Sequence, residues 1–555
     1  MILQANNVQA SLDAMLPGRE QQLLGEVARA LGVAERRVRD VRIVRKAVDA
    51  RKRSDVHFVL NVQADIAGVD DPSELHPRKG VQVGSPKVPA PVTFPSLEDA
   101  ARKARFMRPV VVGAGPAGLF CALALARAGL KPLLLERGRA VEERMEDVRT
   151  FAQGGPLDAQ SNIQFGEGGA GTFSDGKLTT GTKSPFARFV LEEFVACGAP
   201  EDILVDAKPH IGTDYLPKVV KNLRRQIEDA GGEVRFAAQL VGQRITASGT
   251  ISATVRDLRT GSEEEIETDA LMLAIGHSAR DTFAMLDDAG VTMARKPFAV
   301  GVRIEHAQRA IDEAQYGSSA GHPALPPADY KLAVHTPQDR GVYTFCMCPG
   351  GQVVAAASEA GGVCVNGMSD HARSGENANS ALLVEVRPDD FPLEEGVLAG
   401  VRFQRALEWE AFQVGGFSFA APAQTVGSFL NPEDGSSRLV ASGSVQPTYP
   451  RHVIETDLHS VLPPFVTAAL EEAIPAMGHK LHGFDAPEAV MTAVEARSSS
   501  PVRIVRDGDT LQSVSHPGIY PVGEGAGYAG GIMSAACDGL RVAEAVMEAV
   551  AASQG

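Results

Sequence analysis

The sequence predicts an α/β protein: a domain built on a parallel sheet, interrupted by a mixed β-rich insertion and preceded by a small α+β domain. Three observations carry that expectation. A strand, a glycine turn, a helix and a second strand follow one another between Val110 and Glu136. A second glycine-rich turn, Gly523 to Gly531, precedes the last helical stretch. A proline-rich segment separates both from an N-terminal region with its own periodicities.

The elements follow in order. Leu23, Leu24, Val27 and Leu31 recur at helical spacing, and the apolar stretches Val38–Val48 and Val56–Val62 read as strands, giving a small α+β (ferredoxin-like) unit. Half of the positions from Arg36 to Arg53 are Lys or Arg, which reads as an anion patch or as the solvated face of strands and turn. From Ala64 to Ala100 the periodicities fade and Pro72, Pro77, Pro86, Pro89, Pro91 and Pro95 accumulate, so residues 1–95 are assigned to the N-terminal domain and its linker. Residues 96–290 form the first part of the parallel-sheet domain, with a helix over Asp214–Ala230 and strands at Glu233–Gly242 and Ala270–Ile275. Residues 291–485, with β-rich segments and the loop holding Pro323, Pro326 and Pro327, are assigned to the insertion. Residues 486–555 return to the first sheet through Ile519–Val522 and a helix reaching Val550.

Composition narrows the function. Across 555 residues, 54 Lys and Arg against 69 Asp and Glu leave a net charge of −15, the wrong sign for a protein that neutralises phosphates along a nucleic acid. Six scattered cysteines make neither a disulfide framework nor paired metal knuckles, which fits a reducing, cytoplasmic setting, and no metal site is expected. The first twenty residues lack a signal peptide's basic start and apolar run. The uncharged run Pro109–Ala126 is long enough to mimic a membrane span, but its glycines and Pro116 read as a buried strand, turn and buried helix.

The strongest motif is PVVVGAGPAGLFCALALARAGLKPLLLERG. Gly113 permits a tight turn after the strand, Gly115 lets the backbone approach a diphosphate, and Gly118 lets helix and sheet pack closely. The helix that starts at Pro116 and Ala117 aims its free amides at that diphosphate. Glu136 closes the second strand, placed to accept the ribose hydroxyls and to repel a 2′-phosphate, so NADP is disfavoured there. The far turn, with Gly523, Glu524, Gly525, Gly530 and Gly531 ahead of Ile532, offers a second helix N-terminus where negative charge develops on a reduced flavin. Together the two turns indicate FAD in a Rossmann-like domain.

At this point the chain resembles the glutathione-reductase-like FAD superfamily, and more closely a bacterial family of FAD-dependent dehydrogenases with a small N-terminal domain. The resemblance rests on GAGPAG with Glu136, Ser161–Leu178, Lys208–Leu216, Ala274–Asp281, Glu495–Ile504 and Gly523–Gly539. It implies that Ala274–Gly276 form a strand end at the cofactor, with Ile275 replacing the usual threonine. It also implies that Glu524 takes the place of an Asp holding the ribityl chain. The cluster Gly166, Gly168, Gly169, Gly171 and Ser174 is expected to cradle phosphate or flavin edge. Arg137, Leu240 and Gly276 complete the expected FAD contacts.

Flavin carries redox chemistry itself, so the protein supplies orientation and a proton path. His277, directly after the strand-end glycine, is the first catalytic candidate, followed by His210 and Lys177; each also reads as structural. Cys346 and Cys348 form CxC, whose disulfide would be strained, so they read as buried small hydrophobes. Glu495, Arg497, Ser498, Ser499 and Arg503 read either as an anion site or as an interdomain ion-pair network. The expected function is a dehydrogenase passing a hydride between a small molecule and non-covalent FAD, with NAD(P)H as a transient donor. The alternatives are a tRNA-modifying type of flavoprotein and a non-catalytic redox sensor.

Overall fold

The computed structural model describes residues 1–86, 90–179, 181, 183–431 and 444–553; Pro89 of the linker lies outside the described residues. The central sheet has five parallel strands in the order Ile519–Pro521, Leu271–Leu273, Val110–Val112, Leu133–Leu135, Glu233–Arg235. Its three middle strands are apolar throughout and fully covered, as a parallel sheet requires. The strand period of two sorts their side chains. Val111, Leu134 and Met272 pack on the helices Pro116–Arg127, Leu216–Asp229 and Ile532–Ala552. Val110, Val112, Leu133, Leu135, Leu271 and Leu273 pack on an antiparallel meander, Ala238–Ile245, Ile251–Asp257 and Glu263–Thr268. Each leucine buried in this way contributes roughly 1.5–3 kcal/mol. The run Pro109–Ala126 is thus a core strand and a core helix, and among the described residues no helix is long and apolar enough to cross a membrane.

The stretch expected as one strand, Glu233–Gly242, is two. Ala237 adopts φ +54 and turns the chain out of the parallel sheet into the meander.

A seven-stranded sheet forms the second body, in the order Ala333–His335, Gly341–Cys348, Asn377–Val386, Phe298–Ala307, Val490–Glu495, Ala421–Thr425, Val453–Glu455. Phe298, Val300, Val302 and Ile304 share one core with Val384, Leu382 and residues of the helices Ala399–Val414 and Pro464–Gly478. This sheet takes in Val490–Glu495, beyond the boundary that the sequence suggests at residue 485.

At the N-terminus, four antiparallel strands lie in the order Val38–Asp49, His57–Ile66, Ile2–Ala10, Gln82–Gly84 behind the helix Glu20–Leu31. The strand order is that of a ferredoxin-like fold, but a 3-10 turn, Pro72–Glu74, stands where its second helix would be. The linker is therefore shorter than Ala64–Ala100: strand continues to Ile66, and Gln82–Gly84 returns to pair with Gln4–Asn6. Arg36, Arg39, Arg42 and Arg45 of the basic stretch are exposed. Lys46 instead pairs with Asp206 at 3.0 Å, and its backbone bonds Val205 and Ala207, docking this domain on the larger one.

Candidate functional site: a glycine-lined slot

The two glycine turns, about four hundred residues apart in the chain, meet at the carboxyl ends of the parallel strands. A Cβ on Gly523 would lie 2.7 Å from Ala117 Cβ, and one on Gly525 would collide with the Gly276 backbone. The two helices that follow also touch: Gly539 of Ile532–Ala552 leaves no room for a side chain over the Ala117 carbonyl. Both helices begin with amides that have no acceptor inside the helix, and Pro116 at the first position of one sacrifices no bond.

The predicted glycines fall into two groups. Gly113, Gly118, Gly166, Gly168, Gly523 and Gly525 are packing positions, where an added Cβ meets neighbouring protein atoms at under 3 Å. Gly115, Gly276, Gly530 and Gly531 are open: nothing lies within 4 Å of a Cβ on the last three, and only Gly169 Cα, at 3.9 Å, approaches one on Gly115. Gly169 abuts Gly115, and Gly171 lies 3.0 Å from Ile532 by the same measure, so the middle loop bridges the two turns. The open glycines leave a slot of uncovered backbone where the two turns meet, of a kind that suits a diphosphate-bearing ligand.

Several side chains differ from expectation. Glu136, instead of standing free for a ribose, accepts the Ala114 amide at 2.8 Å, the Gly138 amide at 2.9 Å and the Gly166 amide at 3.0 Å. A carboxylate has about four acceptor sites, so this arrangement leaves about one for a ribose hydroxyl. Arg137 bonds Asp281 at 2.9 Å and Thr282 at 3.0 Å and lies over the Phe165 ring. Ser174 accepts the Gly176 amide and donates to Gly171, capping its own loop. Leu240 is a core residue of the meander, 3% exposed, because its strand presents that face to the parallel sheet.

His210, the second catalytic candidate, is engaged within the protein. It stacks on His371 at 4.9 Å and bonds that residue's carbonyl, and burial lowers its pKa. Lys177 reaches across to the Met347 carbonyl and pairs with Asp175 at 3.0 Å. Asp175 is itself clamped by Arg373 and Ser369. Burial would raise the Asp175 carboxyl, but Lys177 and Arg373 hold it well below the usual range.

His277 does stand at the slot, beside the open Gly276. Burial, then the nearby Arg497 and Arg280, hold its pKa at about 4, so the ring is neutral at pH 7. Its Nδ1 meets the Ser278 hydroxyl at 3.1 Å, and that hydroxyl donates to Gln164. An unfolded histidine takes up a proton near pH 6.5, whereas this one waits until about 4, so its contribution to stability falls as pH drops through that window. His277→Asn is expected to lose less stability than the parent between pH 7 and pH 4.5; urea denaturation at the two pH values checks it, and equal losses would count against the shift.

Glu524 keeps its place on the far turn and accepts the Gly531 amide at 3.3 Å. Burial raises its pKa to about 7 against that amide and Lys296, which puts its proton in play near neutrality.

Two structural features escaped the sequence reading. Arg144, fully buried on the helix Val141–Ala152, donates to the carbonyls of Asn162, Ile163, Gly166, Glu167 and Gly169, and so holds the middle glycine loop in shape. The second is an ion cluster in which Glu408 accepts two bonds from Arg280 and two from Arg497, at 2.6–2.9 Å. Burial alone would raise the Glu408 carboxyl, but the two arginines hold it at about 2. For Arg497 this settles the ambiguity in the Glu495–Arg503 stretch in favour of an ion-pair network. Glu495 likewise pairs with the buried Arg303, Ser498 bonds the Ala299 carbonyl, and Arg503 bonds the Gly527 carbonyl.

The chain is similar to several known families and proteins. Residues 111–165 match the NAD(P)-binding Rossmann-like domain, residues 297–498 the family described as FAD-dependent protein, C-terminal domain-like, and residues 3–65 a domain of unknown function. An uncharacterized protein of Clostridium beijerinckii is 43% identical over 561 residues, 99% of each chain. The chain and that protein belong to one family, in which residues 297–498 here carry the match to FAD-dependent protein, C-terminal domain-like. Among solved structures, the flavin-dependent monooxygenase PieE is 20% identical over 53% of this chain and 45% of its own, with a TM-score of 0.27. The halogenase PltM with FAD is 10% identical over 80% and 70%, TM-score 0.38, and the myxobacterial chondrochloren halogenase CndH is 13% identical over 81% and 75%, TM-score 0.36. This chain thus spans less than half of the monooxygenase's length. FAD is the cofactor of this flavoprotein.

Proposed function

We propose that the protein is an FAD-dependent dehydrogenase that passes a hydride between a small-molecule substrate and non-covalently held FAD. The observation that carries this reading is the slot itself, where glycines from three remote segments leave backbone open at the ends of parallel strands. FAD, when bound, supplies the two-electron chemistry. The chain contributes binding and charge. Free amides at the start of Pro116–Arg127 suit a diphosphate, and those at the start of Ile532–Ala552 suit an electron-rich ring edge. Neutral His277, held by Ser278, can accept a proton, and Glu524, poised near pH 7, can hold one. The bond from Lys177 to the Met347 carbonyl ties the Gly166–Lys177 loop to the seven-stranded sheet.

The test is anaerobic titration of the purified protein with NADH, NADPH and a panel of metabolites. Rapid bleaching of the flavin absorbance by one of them is the expected result. A flavin-loaded protein that none of them reduces faster than it is reduced without substrate would overturn the dehydrogenase reading and leave a redox-sensing ligand in its place.

A further inference from the structure

The seven-stranded sheet has a second face. Val342 and Val384 point into its core, so the period of two turns their neighbours Tyr343 and Glu385 to the other side. Ala299, paired with Glu385 on the next strand, shares that side, and its carbonyl accepts the Ser498 hydroxyl at 2.7 Å. At this edge of the sheet lies a cleft of about 450 Å³, lined by Lys296, His335, Gly341, Tyr343, Glu385 and Ser499 among others. A volume in that range suits a small organic ligand.

The polar groups of the lining divide into engaged and free. Glu385 accepts two bonds from Arg387, at 3.0 and 3.1 Å, and His335 bonds Asp339 at 2.6 Å. Among the described residues, the hydroxyls of Tyr343 and Ser499 have no hydrogen-bond partner, and Lys296 has no carboxylate. Its ammonium reaches only the Pro297 and Ser500 carbonyls, at 3.4 and 3.5 Å. Burial, then Arg503, lower the Lys296 pKa against Glu524, as befits a cation short of countercharge.

The cleft adjoins the far glycine turn. Ser500, whose carbonyl receives Lys296, sends its hydroxyl to the Gly525 carbonyl at 3.0 Å. Gly525 in turn packs on the Gly276 backbone, beside His277.

We propose that this cleft binds the carboxylate of the substrate, a small organic acid, with Lys296 as its countercharge and the Tyr343 and Ser499 hydroxyls as further donors. The inference rests on the dehydrogenase reading for that acid's role as substrate. One carboxylate supplies the charge that Lys296 lacks and has acceptor sites enough for both hydroxyls. A phosphate dianion would call for a second free cation, and the other basic side chain of the lining, His335, is engaged by Asp339.

Isothermal titration of the flavin-loaded protein with benzoate, and with benzamide as its neutral counterpart, tests the site without turnover. Benzoate is expected to bind at least tenfold tighter than benzamide. Lys296→Met is expected to erase that preference, which a merely structural lysine would not set. Tyr343→Phe, which keeps the ring, is expected to weaken benzoate about fivefold, the worth of one hydrogen bond. Equal binding of the two probes by the parent, no binding of benzoate, or a preference that survives Lys296→Met would overturn the proposal. Anaerobic reduction of the same sample keeps the two ideas apart. Benzoate held through Lys296 in a protein whose flavin no metabolite reduces supports the carboxylate site and removes the dehydrogenase reading; a reducible flavin with no preference for benzoate sinks this proposal alone.

Discussion

Glu408→Ala is expected to destabilise the protein by about 3–5 kcal/mol, the usual cost of leaving buried charge without its partner. Glu408 is 1% exposed and answers two guanidinium groups that are equally shielded. Arg280 begins the helix after the central strand Leu271–Leu273, Glu408 lies on Ala399–Val414, and Arg497 follows the strand Val490–Glu495. The cluster therefore clasps the FAD domain to the seven-stranded sheet beside His277. Glu359 lies at the rim and bonds Arg280 at 2.8 Å, but it already serves Arg405 and is 30% exposed, so it compensates little. Chemical denaturation of Glu408→Ala and Glu408→Gln checks this. Gln keeps acceptor geometry and loses the charge, so it is expected to recover only part of the loss. Parent-like stability for Glu408→Ala would show that the clasp carries no weight.

Gly115→Val and Gly118→Val are expected to fail in opposite ways. A Cβ at Gly115 points into the slot, where the nearest protein atom is 3.9 Å away, so the fold should survive. Flavin should not, because the added methyls occupy the space through which a diphosphate reaches the helix amides. Flavin per chain is expected to fall at least tenfold, with unchanged circular dichroism. At Gly118 a Cβ would collide with the Gly113 carbonyl, backbone that cannot step aside, so Gly118→Val is expected to lose soluble expression altogether. A flavin-loaded Gly115→Val protein would remove the diphosphate from this turn.

The parallel sheet was legible because its strands are unbroken apolar triplets, Val110–Val112, Leu133–Leu135 and Leu271–Leu273, bounded by glycine and charge. The N-terminal strand Ile2–Ala10 was not. Leu3, Ala5, Val8 and Ala10 all face the core, but Asn7 at φ +61 shifts the register between Ala5 and Val8 and breaks the period of two. Within the site, the glycines could be found from their spacing, yet nothing in that spacing separates Gly115, which opens on ligand space, from Gly168, which packs on Thr172 and Val220. That distinction depends on tertiary neighbours. Arg144 sits in VEERMEDVRT, where it looks like any solvated helical arginine, and only the fold brings five carbonyls to it. Arg280 and Glu408 are 128 residues apart, and no local pattern couples them. Cys346 and Cys348 read alike in sequence; a bulge of one residue gives them different surroundings.

The most direct measurement is a diffraction structure of crystals grown with FAD. The diphosphate is expected within hydrogen-bond reach of the amides that follow Gly115, with the flavin end against Gly530–Ile532. A diphosphate bound elsewhere, or a flavin ring remote from the Gly523–Gly531 turn, would contradict a single cofactor shared by the two ends of the chain.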